Sequence, residues 1–191
     1  LKSLKRTSKY YGAFIGENKY YSAELTKYLS AFNTIKQTTV LPLLFKIFND
    51  YEDNRINEES LSKVLNYLLT YLIRITACEI SKNLSKFMKS MYDRVIDGKY
   101  NNYYERFVIF LNDLRANERM PTDKEFRDAL ISKPLYKKNI CKYLLSVIEN
   151  STKEHIDVSN LTIEHILPQK ENAAVWRKEI GEDYDSVYDL Y

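Results

Sequence analysis

Between Tyr21 and Ile148 the apolar side chains recur at three- and four-residue steps, the period of a helix with one buried face. Tyr21, Leu25, Tyr28, Leu29 and Phe32 share one such face, and Leu41, Leu44, Phe45 and Phe48 repeat it. Pro42 fits the first turn of that second helix, where a missing N–H costs nothing. The stretch "DNRINEES" breaks the pattern, and Asn57 then serves as the expected N-cap of a helix carrying Leu61, Leu65, Leu68, Leu69 and Leu72 and running to about Cys78. "SKNLSKFMKSMYDRVIDG" predicts a further helix, stopped by Gly98. Tyr103, Phe107, Phe110, Leu111 and Leu114 mark another. Thr122 and Glu125 form a capping-box pattern behind Pro121, the strongest helix-start signal in the chain. Ile140, Tyr143, Leu144, Val147 and Ile148 define a helix that ends near "ENSTKEH".

Two stretches lack the helical stripe. The first, "LKSLKRTSKYYGAFIG", is basic and aperiodic and reads as a lead-in. The second follows Asn150, where "HIDVSNLTIEHILPQ" is rich in β-branched residues. Pro168 disfavours a helical Leu167, so Val158, Leu161, Ile163 and Ile166 fit an extended segment. "NAAVWRKEIG" returns to helix, with Gly181 as its stop. The expected fold is mainly α, an antiparallel multi-helix bundle with a short C-terminal extended or β segment. Its expected organisation is a lead-in over 1–19, a helical domain over 20–150 and a separate C-terminal segment over 151–191.

Composition supports this reading. Only 4 glycines and 4 prolines are present, too few for the frequent turns of an all-β fold. Hydrophobic residues make up 45 %, enough for a packed core rather than a disordered chain. The 17 tyrosines suit helix seams and rims, with an apolar body and one polar tip. A net charge of +3 permits nucleic-acid contact without requiring it. Cys78 and Cys141 are far apart and lack metal-ligand spacing, so they read as free thiols of a cytoplasmic protein. No apolar run approaches the roughly 18 residues of a membrane span. The chain starts at Leu1 without a methionine and reaches Tyr191 on an unbroken pattern, as a piece of a larger protein would.

Candidate chemistry is concentrated in "SNLTIEHILPQKENAAVW", residues 159–176, where Glu164 and His165 are adjacent. Histidine titrates near neutral pH and suits the activation of water. A carboxylate suits a hard divalent cation, which in turn suits phosphate oxygens. Neighbours on a strict strand point to opposite faces, so both serve one site only if the strand bends or a metal lies off its edge. Taken alone, the dipeptide is weak evidence and reads first as an exposed loop with an incidental histidine. Lys82, Lys86 and Lys89 fall at i, i+4 and i+7 and form a candidate DNA-binding stripe, or else a solvated face. Lys138 and Lys142 make a second basic pair. His155 sits in a polar connector and reads as exposed, and "NDYEDN" lacks calcium-loop spacing and reads as a helix end.

The longer string "NLTIEHILPQ", the following Trp176 and "GEDYDSVYDLY" resemble the C-terminal nuclease segment of the GmrSD-type, modification-dependent restriction endonucleases, which is similar to the HNH or His-Me finger nucleases. "LLTYLIRITACEISKNLSKFMKSMY", "MPTDKEFRDAL" and "LYKKNICKYLLSVIEN" resemble the helices that lead into it. The resemblance implies His165 as the general base, Glu164 as a candidate metal ligand, turn and positioning roles for Pro168 and Gln169, and packing for Trp176. It implies a divalent metal, Mg or Mn, in the full-length protein, and none firmly bound by the present chain. DNA, including modified DNA, is the implied substrate, and a separate N-terminal nucleotide-hydrolysing domain the implied partner; no membrane is involved. Residues 151–191 then correspond to an incomplete ββα-metal unit, because family members continue with an asparagine-bearing strand and helix. The expectation is that the parent protein cleaves DNA and this piece does not. The alternative is a non-catalytic helical module that docks domains or DNA.

Overall fold

The computed structural model describes residues 2–17, 20–80, 83–96, 103–114, 118–151, 156, 161–163 and 173–187. Among these the regular elements are helical and no strand occurs. Helix α1 spans Lys2–Phe14, α2 Ala23–Thr34 and α3 Leu41–Glu52, the last entered through a 3-10 turn at Thr38–Val40. Helix α4 spans Glu58–Ala77, α5 Leu84–Met91 and α6 Tyr103–Asn112. Helix α7 spans Asp123–Ser132, α8 Cys141–Glu149, α9 Ala173–Ile180 and α10 Tyr184–Val187. The mainly α expectation is met.

Helix starts are set by local chemistry. The side chains of Ser22, Asn57, Asn83 and Thr122 accept from the backbone N–H three residues on, at Leu25, Ser60, Lys86 and Glu125. Each satisfies a donor that the first helical turn leaves open. Pro42 occupies the first turn of α3 as expected. The helix ends are less usual. Lys36, Asn54 and Glu79 take left-handed φ values of 54°, 56° and 56° just past α2, α3 and α4. The following N–H groups then close on Phe32, Asp50 and Ile75 carbonyls at 3.2, 2.8 and 2.9 Å. Glycine usually fills such positions, and this glycine-poor chain uses Lys, Asn and Glu instead.

Helix α4 is the axis of the core. Its 20 residues give a rod about 30 Å long that packs against α2, α3, α6 and α7. Leu61, Val64, Leu65, Leu68 and Leu72 are fully buried along it. Each such side chain contributes about 1.5–3 kcal/mol of transfer free energy. Leu25, Leu29 and Phe32 from α2, Leu44, Ile47 and Phe48 from α3, and Phe107 and Leu111 from α6 close around it.

Three sequence expectations need correction. The basic stretch read as an aperiodic lead-in is helix α1, and Tyr10, Ala13 and Phe14 are buried in the common core. Its apolar signal is confined to the last turn, and polar pairing supplies the rest. Arg6 meets Asp53 and Lys9 meets Glu52 at the end of α3, while the Tyr10 hydroxyl donates to Asn49 Oδ1 at 2.9 Å. Second, α5 begins at Leu84 and leaves the α form at Tyr92 for a π-helical turn over Tyr92–Ile96. Gly98 lies outside the described residues. Third, the α8 stripe is only partly inside. Ile140 is buried, but Val147 and Ile148 are exposed.

The acidic stretch "NDYEDN" is a helix end, as expected, and its carboxylates hold neighbouring elements. Asp50 is 4 % exposed, accepts from Arg55 at 3.0 Å and receives the Tyr103 hydroxyl at 3.3 Å. Glu52 and Asp53 hold α1. Cys78 and Cys141 are free and half-buried, and burial raises both thiols above their usual range. No helix among the described residues is long and apolar enough to cross a membrane.

Candidate nuclease segment and basic cleft

The C-terminal elements are tied to the body through the second half of α4. The Tyr71 hydroxyl donates to the Glu118 carbonyl at 2.8 Å. The Arg74 guanidinium donates to the Pro121 carbonyl at 2.8 Å, pairs with Asp123 and lies over the Phe126 ring. Beyond the end of α4, Glu79 accepts from both Lys133 and Lys138, at 3.1 and 2.7 Å. These two cations hold the Glu79 carboxyl below its ordinary value. One helix thereby fixes the entry to α7, its exit and the turn before α8. Lys138, one of the second basic pair, is therefore engaged by Glu79.

Within α7 the capping box has both arms. Thr122 accepts from the Glu125 N–H, and the Glu125 carboxylate accepts from the Thr122 N–H at 2.8 Å. Arg119 adds a bidentate pair to the same carboxylate. Arg119 and the Thr122 donors keep the Glu125 carboxyl well below the usual range. After α8, Asn150 Oδ1 accepts from the Ile156 N–H at 2.8 Å. Leu161, Thr162 and Ile163 have no regular secondary structure. Glu164, His165, Pro168 and Gln169 lie outside the described residues, as does His155. Trp176 is half-buried on α9. Gly181 follows that helix with φ +76°, the left-handed stop expected of it. The chain then turns into α10, where Arg177 pairs with Asp185 at 2.8 Å and covers the Tyr184 ring.

Among the described residues no group of three or more His, Cys, Asp or Glu side chains is disposed to hold a metal. Of the three lysines read as a stripe, Lys86 and Lys89 are exposed on α5. Lys82 precedes the Asn83 cap and lies outside the described residues. The side chain of Asn83 caps the start of α5. Lys89 instead faces a cleft of about 350 Å³ whose other wall is α3, where Lys46 stands. Reading each helix separately missed this meeting, because nothing in either local pattern brings α3 and α5 together.

Comparison with known proteins bears on the C-terminal elements. Residues 120–190 match the family described as GmrSD restriction endonucleases, C-terminal domain. The match starts at Met120, beside the Arg74 anchor, and spans α7 to α10 and the Glu164–His165 pair. No curated protein and no solved structure matches the chain significantly. Residues 120–190 are therefore similar to the C-terminal domain of the GmrSD restriction endonucleases.

Proposed function

We propose that this chain is part of a defence endonuclease that hydrolyses DNA phosphodiester bonds, with His165 as general base and Glu164 as a metal ligand. The observation that carries the reading is the family match over 120–190, which encloses the "TIEHILPQ" string. His165 takes the proton of the attacking water, a task suited to an imidazole that titrates near neutral pH. A divalent cation, Mg or Mn, supplies positive charge at the phosphate oxygens when bound. Glu164 offers the hard oxygen ligand such a cation prefers. The substrate is DNA, including modified DNA, and a nucleotide-hydrolysing domain acts with this segment. The two free cysteines fit work in the cytoplasm.

The test is cleavage of DNA by the full-length protein with Mg or Mn, comparing wild type with His165→Ala. Loss of a general base lowers the rate by about 10²–10⁴-fold. Cleavage at an undiminished rate would remove His165 from the mechanism. Glu164→Gln should raise the metal concentration needed for half-maximal rate, and an unchanged metal dependence would remove Glu164 from the site.

A further inference from the structure

Several cations on this protein are held by carboxylates. Arg6, Lys9, Arg55, Arg74, Arg119 and Lys138 each face a carboxylate. Lys46 and Lys89 form no ion pair among the described residues, yet they stand on the two walls of one cleft. The acids one turn further on leave them uncompensated. Asp50 is buried and taken by Arg55 and Tyr103, and Asp93 makes no ion pair with Lys89. Lys46 is held in place, since its Nζ lies 3.7 Å from the centroid of the Tyr92 ring. An aromatic face positions an ammonium without neutralising it.

The remaining lining is of two kinds. Leu43 and Met88 are nearly fully buried and form an apolar base. Thr38, Thr39 and Ser85 add hydroxyls around it. An apolar base beside two uncompensated ammonium groups fits a ligand that is flat and apolar at one end and anionic at the other. A nucleotide has that chemistry, and single strands are held elsewhere by the same combination of ring contact and cationic groove. We propose that the cleft between α5 and the start of α3 binds one nucleotide of a DNA strand, its phosphate on Lys46 and Lys89 and its base against Leu43, Met88 and Tyr92. The cleft lies outside the family-matched segment. DNA is chosen over another nucleic acid because of the function proposed above, but the test reads binding and not cleavage.

The experiment is fluorescence anisotropy of a labelled single-stranded oligonucleotide and of its duplex, with the full-length protein carrying His165→Ala so that the strand survives. Replacing both Lys46 and Lys89 by Ala should weaken single-strand binding about tenfold and flatten the log–log salt slope by roughly 0.7, the share of the one phosphate no longer neutralised. Lys27→Ala, an exposed charge on α2, should leave both unchanged. Equal losses in the control, or none in the double variant, would overturn the site. Lys89→Ala alone, in no ion pair among the described residues, carries the test if the double variant unfolds. A 5-iodouracil strand should cross-link at Tyr92 or Met88, and cross-links found only elsewhere would also overturn it. So would competition by polyglutamate as effective as that by unlabelled oligonucleotide, which would mark an acidic-protein site. If the binding result holds while His165→Ala still cleaves, the cleft stands and the catalytic assignment falls.

Discussion

Arg74 in the middle of the chain donates to the carbonyl of Pro121, 47 residues later, at 2.8 Å. Pro121 is the second residue of the family-matched segment. The same guanidinium meets Asp123 and covers Phe126, so it clasps the first turn of α7 on three sides. The entry to the family-matched segment is thereby set by a helix that lies outside the match.

Arg74→Ala should cost about 2 kcal/mol in urea unfolding, the scale of a hydrogen bond made by a charged donor. Arg74→Lys should recover little of it, because an ammonium lacks the planar fork that reaches two acceptors and a ring together. Amide exchange at the start of α7 should quicken in both variants. A stability loss below the measurement error in Arg74→Ala would show the clasp to be incidental.

Asp50 makes a prediction about pH. Burial raises its carboxyl above the ordinary 3.8, and Arg55 and Tyr103 only partly counter this. The folded state thus holds the proton more tightly than the unfolded chain. That contribution is complete below 3.8 and is lost as pH rises through the folded value. The stability advantage of wild type over Asp50→Asn should accordingly shrink as pH rises from the acid side towards neutrality. Asp50→Ala, which strands the Tyr103 hydroxyl, should cost about 1–3 kcal/mol. Parallel denaturation curves at several pH values check both, and a gap that widens with pH would reverse the assignment.

Thr122→Ala removes the acceptor of the capping box and should lower stability by about 1 kcal/mol, whereas Thr122→Ser should be near neutral. Glu125 contributes with the opposite pH sense to Asp50. Its folded value is depressed, so its contribution is present above the ordinary 4.5 and is lost as pH falls through the folded value. Helicity of α7 followed in an acid titration should show this loss in wild type and a smaller one in Glu125→Gln.

Lys36→Gly should stabilise the protein, by up to about 1 kcal/mol. The left-handed backbone after α2 costs a side-chain-bearing residue roughly that much, and glycine nothing. The same change at a right-handed exposed helix position, such as Lys27, should destabilise by about 1 kcal/mol. A loss of thermal stability in Lys36→Gly would mean that its side chain contributes more than the strain costs.

What was legible in the sequence were features closed within three or four residues. Caps at Asn57 and Thr122, the Pro42 entry and the apolar faces of α2, α3, α4 and α6 depend on hydrogen bonds and side-chain spacing inside one helix. The Glu164–His165 string was legible for another reason, since it is a contiguous stretch of the segment that the family match encloses. Tertiary structure decided what depends on distant partners. Helix α1 lacks a full apolar stripe and is docked by Lys9 on Glu52, 43 residues away. Tyr103 reaches Asp50 across 53 residues. Lys46 and Lys89 are ordinary surface lysines in their own helices, and only the packing of α5 beside the start of α3 brings these two charges, in no ion pair among the described residues, to one cleft. Local hydrogen bonding is written into adjacent residues, whereas the field at a cleft is a sum over side chains that only packing brings together.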